Sequence, residues 1–452
     1  MSLNRRRVLG FGAGLLFGGV LGGAEQGSLS PADEAFLEDV SRRSFRYFWE
    51  QGDPKTGITR GRARFDGSEY PEERRDVGST GDTGFGLTAM CIGAERKWVG
   101  RGEARERVRN TLRAYAEGPV ENEHGWFYHW INVKTGKRTG ATFDTATRAV
   151  PDGKELKRPK SEISTSDATW LVCGAITARE YFRDDAQIGR LANRIYERMD
   201  YAWMRNGHPT LLAHGWMPES GFLPARYEKY CQLAAMYLLG MASPAHALPA
   251  DAWYAWERNP YEYDGYKYIG NSLLWTYQYP FAWFDLRGRR EARGSRVNYF
   301  ENSSTATRAH RQFCIDLDKE FPGCYSKEIW GITSSMSKSG YKAWGGPPKR
   351  GGVDGSVVPC APGGSLMFTP DIALPALRAM RERFGDKIYG RYGFADAFHP
   401  VNGWVSQDTI ALDVGITLLS AENLRSGNVW KWFTGSAEAQ RALRLAELKV
   451  EG

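Results

Sequence analysis

The sequence predicts an all-α fold, an α/α toroid of about twelve helices whose long loops wall a central cleft. Three observations predict it. Apolar residues recur at helical spacing in segment after segment, sustained period-2 alternation is almost absent, and the connections 52–82, 118–163 and 326–369 are too long for simple links. No short repeat of fixed period runs through the chain, which argues against an open helical solenoid. Helical hairpins closed into a ring gather such loops at one mouth. An irregular multi-bundle is the alternative.

The first 24 residues read as an export signal. Arg5, Arg6 and Arg7 precede an apolar, Gly-rich stretch from Val8 to Val20, and Gly22-Gly23-Ala24 offers small residues for cleavage, a twin-arginine pattern. A single mature domain, 25–452, is expected, because no composition break marks a second one. Its expected destination is the periplasm or the medium. Ser30 caps a helix from Pro31, with Asp33 and Glu34 in the first turn and Leu37, Val40, Ser44 and Phe48 on one face. A second helix follows Gly84, with Leu87, Cys91, Ala94 and Trp98 aligned, and a third covers 102–117. A fourth starts near Thr165 with Leu171, Ala175, Ala178 and Phe182 aligned, and its partner covers 186–203. Further helical stretches fall at 227–242, 268–287, 297–317, 370–384, 412–425 and 436–448. Asp53-Pro54, Gly346-Pro347-Pro348 and Gly363-Gly364 punctuate the loops.

A hydrophobic share of 42% supports a large core and excludes a disordered chain. The 16 Trp and 22 Tyr suit sugar stacking and core filling equally well. Net charge is +7, three of it from Arg5, Arg6 and Arg7, and the remaining Lys and Arg are scattered, so no nucleic-acid partner is expected. The six cysteines form no CxxC pair and no zinc-spaced Cys/His cluster, so no metal is expected. Cys314 and Cys324, ten residues apart, can form a local disulfide in an oxidising compartment. No segment after the signal is a transmembrane candidate, and the chain is expected to act as a monomer.

A few acids stand in unusual settings. Glu162 and Asp167 flank Ile163-Ser164-Thr165-Ser166 at a helix start. Capping accounts for one acid there, not both. Two carboxylates at one helix mouth suit glycosidic chemistry, in which one group protonates the leaving oxygen and another activates water. Asp413 sits among aliphatic neighbours, either capping its helix or holding a proton useful to a site. Asp82, in Ser79-Thr80-Gly81-Asp82-Thr83-Gly84, allows a turn role or a site role. His129 and His124 bracket an aromatic run at a spacing that fits no metal motif. Arg60, Trp126, Trp130, Trp216, Gln278, Tyr279, Trp344 and Trp404 lie in or beside Gly- and aromatic-rich loops and are candidate sugar platforms or hydroxyl partners. There is no GxSxG elbow, P-loop, HExxH or dinucleotide fingerprint.

Several segments together resemble the glycoamylase-like family, which includes the endo-β-1,2-glucanases of glycoside hydrolase family 144. They are 43–49, 79–86, 125–130, 162–167, 243–246, 299–303, 330–333, 340–345, 392–398 and 422–427, in order along nearly the whole mature chain. The resemblance implies an (α/α)6 barrel and an inverting hydrolase that acts on β-linked glucan without a cofactor or metal. It matches Asp167, Glu162 and Asp413 to acidic positions. It also implies a catalytic acid in a Tyr-x-Glu element, which here reads Tyr230-Cys231-Gln232, with Tyr230 a candidate substrate contact. Glutamine has no proton to deliver. Another acid then protonates the leaving group, or Gln232 marks an inactivated variant, or the chain binds glycan without cleaving it. A polysaccharide lyase on the same fold, with His129 as base and Arg60 holding a uronate, is a further alternative.

Overall fold

Residues 29–140 and 160–451 are described by the structure, a computed structural model; the expected export signal lies outside them. The helices are α1 (Pro31–Gln51), α2 (Glu72–Arg75), α3 (Thr80–Glu95), α4 (Arg101–Ala116), α5 (Thr165–Tyr181), α6 (Ala186–Glu197), α7 (Tyr201–Met204), α8 (Ala234–Ala242), α9 (Tyr279–Trp283), α10 (Tyr299–Leu317), α11 (Cys360–Ser365), α12 (Pro370–Phe384), α13 (Ala411–Ser426), α14 (Asn428–Thr434) and α15 (Ala437–Leu445). The strands between them are two to four residues long and form small antiparallel pairs, plus one three-stranded sheet. The expected helical class holds.

Two kinds of helix make two layers. In α1, α4, α6, α10 and α12 one face is buried and the other is polar, as their periodicity requires. By contrast α8, α9 and α11 are buried along their whole length, and α3, α5 and α13 nearly so. The buried helices contact one another from α3 to α5, α8, α9, α13 and back to α3, with α11 against α13. Outside them, α4 packs on α3, α6 on α5, α12 on α11, and α1 on both α3 and α13. No helix among the described residues is long and apolar enough to cross a membrane.

The second helix begins at Thr80, not after Gly84, because its glycines are packing devices. A Cβ on Gly84 would stand 2.1 Å from the Trp170 carbonyl oxygen, and one on Gly174 would stand 2.1 Å from that of Gly84. Glycine on both sides lets α3 and α5 touch backbone to backbone. Gly363 and Gly364, expected in a loop, lie inside α11 for the same reason, facing Thr417 and Gln278. The stretch 268–287 is not one helix: Tyr266–Ile269 is a strand, and the 3-10 turn Leu274–Tyr277 precedes the five-residue α9. All six cysteines are free, so Cys314 and Cys324 are not joined. Each contacts its own histidine instead, Cys314 with His310 at 3.6 Å and Cys324 with His399 at 3.9 Å.

Candidate active site

Three inner helices start the same way. Val77–Ser79 runs into α3, Ile163–Ser164 into α5 and Asp408–Ile410 into α13, and in each helix the third residue is an aspartate: Asp82, Asp167 and Asp413. Short strand pairs hold these starts. Val77–Ser79 pairs with Trp130–Asn132, Ile163–Ser164 with Gly215–Met217, and Asp408–Ile410 with Arg62–Arg64. The main chain of His129 ties two of the starts together, donating to the Glu162 carbonyl at 2.8 Å and accepting from the Thr80 amide at 3.0 Å. The three carboxyl groups meet on one cavity of about 200 Å³. Its wall also carries Arg62, His129, Trp130, Trp170, Trp275, Tyr279 and Tyr341. A polar floor among flat aromatic rings is the lining that a sugar requires.

The local sequence distinguishes the three acids. Ser79 and Ser164 cap their helices, accepting from the amides of Asp82 at 3.4 Å and Asp167 at 3.3 Å. The Ser164 hydroxyl also donates to the Asp167 carboxylate. Ile410 occupies the equivalent place before Asp413 and offers no such group. Burial, then the nearby charge of Asp167, holds the Asp82 carboxyl well above the usual carboxylate range, although His129, Ser79 and Arg62 pull it down. His129 links Asp167 to Glu162, with Nε2 3.6 Å from Asp167 Oδ1 and Nδ1 3.3 Å from Glu162 Oε1, and its ring stacks on Trp130 at 4.4 Å.

Across the cavity, burial raises the Asp413 carboxyl, while hydrogen bonding from Asp396 and Cys360 and the charge of Arg62 restrain the rise. Arg62 is itself buried, with Nη1 3.3 Å from Asp408 Oδ2 and its guanidinium 5.6 Å from the Tyr341 ring centre. Among the described residues no group of three or more His, Cys, Asp or Glu is arranged to hold a metal ion.

The family model Glycoamylase, described as "Putative glucoamylase", matches residues 224–437. The glycoamylase-like resemblance holds. The chain is 26% identical over 446 residues to the exo β-1,2-glucooligosaccharide sophorohydrolase (non-reducing end) of Parabacteroides distasonis, covering 91% of this chain and 58% of that protein's length. It superposes on the endo-β-1,2-glucanase of Chitinophaga pinensis, in complex with sophorotriose and glucose, with a TM-score of 0.81 and 27% identity, covering 93% of this chain and 99% of the other. The fold is shared with the β-1,2-glucanase of Parabacteroides distasonis, with a TM-score of 0.79 and 23% identity over 93% of this chain and 60% of the other.

The cavity collects Asp82, Asp167, Asp413, His129 and Tyr279 from the residues that the sequence singles out, and Trp130 from its aromatic candidates. Glu162 stands behind His129, off the wall. Five expected sugar contacts are corrected. Arg60 spends its guanidinium on the carbonyls of Arg75 and Gln51 and on Asp76. Trp126 is sealed against Tyr201 and donates to the Asp200 carbonyl, and Trp344 is sealed with its indole on Ser335. Gln278 bolts α9 to α11 through Ala361 and Ser365, and Tyr230 lies in a buried cluster with Trp256, Tyr277 and Tyr299. Trp216 packs beside Trp203, Trp404 lies in the loop after Phe398, and Gln232 is half-buried just before α8; none of the three lines the cavity.

Sequence reasoning missed Arg62, Trp170, Trp275, Tyr341 and Asp396. Arg62 was not marked by its spacing, since Arg60, Arg62 and Arg64 fall at the same parity and strand alternation does not separate them. Asp396 lies in the resembling segment 392–398, where nothing in the residues themselves marks a role.

Proposed function

We propose that the protein is a glycoside hydrolase cleaving β-linked glucan, β-1,2-glucan by preference, on an (α/α)6 toroid and with inversion at the anomeric carbon. One observation carries the proposal: Asp82, Asp167 and Asp413, from three helix starts far apart in sequence, share one aromatic-lined hollow. The activities of the similar sophorohydrolase and of the Chitinophaga enzyme support the linkage.

Asp82 keeps its proton because burial and Asp167 oppose its ionisation, so it is the group with a proton to give. In the proposed step that proton passes to the glycosidic oxygen as the C1–O bond breaks. A water on the opposite face bonds to C1 and loses its proton to Asp413. Asp167 and His129 set the charge around the donor, and Trp130 offers a stacking face. With Gln232 unable to titrate, proton delivery rests on this cluster. Export through the twin-arginine route, to the periplasm or medium where such glucans are met, completes the proposal.

Linear β-1,2-glucan incubated with the purified protein is expected to yield new reducing ends. Their absence, from both this chain and Gln232→Glu, would refute the substrate assignment. Tight calorimetric binding without turnover would select the non-catalytic reading that Gln232 motivates.

A further inference from the structure

Behind Asp413, a second and smaller chamber of about 20 Å³ lies among Ser44, Cys360, Asp396, Thr409, Asp413 and Thr417. That volume admits about one water molecule. Three of these residues each leave a buried polar atom with no hydrogen-bond partner in the protein: Asp396 Oδ1, Thr409 Oγ1 and Asp413 Oδ2. The other oxygen of Asp396 accepts from the Met336 amide at 2.6 Å. Buried polar atoms are rarely left unmet, and three on one water-sized chamber call for a common explanation.

Two ionised carboxylates in such a place repel strongly and lack the donors to compensate. A single proton between them satisfies both, because each carboxylate is an acceptor only while ionised. The charged and titratable groups around the pair, the Arg62 guanidinium and the Cys360 thiol among them, offset this repulsion only in part. Arg62 is shared with Asp408, which also takes Arg64 at 2.9 Å. Asp82, Tyr279 and Tyr341 face Asp413 from α3, α9 and the strand Gly340–Lys342, and the Cys360 thiol faces it from α11.

We propose that Asp396 is a positioning residue that holds one proton toward Asp413 beside a single ordered water, leaving Asp413 as the charged member of this pair and the one presented to the sugar hollow. This rests on the reading of Asp413 as the group that takes the water's proton. Asp396 lines the small chamber alone, whereas Asp413 also lines the sugar hollow and can exchange protons there, which assigns the held proton to Asp396. Burial, then hydrogen bonding and charge from Asp413, act in the same direction on the Asp396 carboxyl. During turnover the Asp396 proton stays where it is. Asp413 gains a proton from the attacking water and returns it to solvent through the hollow.

Two variants and one spectroscopic measurement test this. Asp396→Asn keeps a donor beside Asp413, so turnover on β-1,2-glucan and the acidic limb of the kcat/KM profile should stay close to those of the parent. Asp396→Leu removes the donor. Its kcat should fall about tenfold or more with KM little changed, and its acidic limb should move to higher pH, since a buried carboxylate without a donor holds its proton more tightly. Equal effects from both variants, or none from either, would overturn the proposal. Difference infrared spectra at neutral pH, parent minus Asp396→Asn, should show the C=O stretch of a protonated carboxyl. Absence of that band would overturn it whether or not any glucan is cleaved. The band present in a protein that cleaves no β-glucan would retain the shared proton and discard the hydrolase reading.

Discussion

The starts of α5 and α13 place an aspartate at the same position in the same kind of turn, and they treat it in opposite ways. At α5, Ser164 caps the helix and donates to Asp167, and His129 stands 3.6 Å from it. At α13, Ile410 replaces the serine, and one oxygen of Asp413 turns to Asp396 and a water-sized chamber instead. One residue before the helix decides whether the carboxylate is met by a hydroxyl from its own turn or by another acid from across the fold. The two walls therefore meet their carboxylates with different partners although their aspartates sit at one helical register. In the proposed reaction Asp167 serves the donor Asp82 while Asp413 is the acceptor, and donor and acceptor must differ at one pH.

Removing the charge from either wall should have the largest effect. Asp413→Asn is expected to lower kcat by about 10²–10⁴-fold while leaving thermal unfolding nearly unchanged. Reducing-end rates alongside calorimetry check both halves, and a variant with near-parent turnover would erase the functional distinction between the walls.

Next comes the pH dependence of stability. Asp82 and Asp396 hold their protons in the folded chain well above the value of about 3.9 expected when unfolded. The native state then binds more protons than the unfolded state above that value, so these two groups contribute stability that is complete in acid and is lost as pH rises toward their folded values. Asp396→Asn should gain stability relative to the parent on going from pH 4 to pH 8. Denaturant midpoints at the two pH values measure it, and a constant difference would contradict the raised proton affinity.

Smaller changes should come from the cap and the platform. Ser164→Ala is expected to cost about 1 kcal/mol of stability, by loss of the helix cap, in chemical unfolding. Trp130→Ala should raise KM about three- to tenfold with little change in kcat, since stacking contributes about 0.5–1.5 kcal/mol.

The outer layer was legible in the sequence because each helix has a wet side. Ser30, Leu37, Val40 and Phe48 of α1 are where capping and periodicity put them. The inner helices carry no such contrast, being apolar all round, and Gly84, Gly363 and Gly364 mimic turns while serving close packing. For the site, acids out of place in apolar or small-residue runs gave away Asp82, Asp167 and Asp413. Trp126 and Trp344 misled because a tryptophan's identity does not say whether its face meets sugar or core. The approach of Asp396 to Asp413 is a tertiary fact, held by the Asp396 amide on the Asp408 carbonyl just ahead of α13, and invisible to spacing.

The most direct test is a crystal structure of Asp413→Asn soaked with a β-1,2-linked glucooligosaccharide. The sugar is expected to bridge the hollow on Trp130, with a glycosidic oxygen within hydrogen-bond reach of Asp82 and a water between residue 413 and the anomeric carbon. Sugar bound elsewhere, or in the hollow with both walls on the same side of the scissile bond, would contradict the assignment of donor and acceptor.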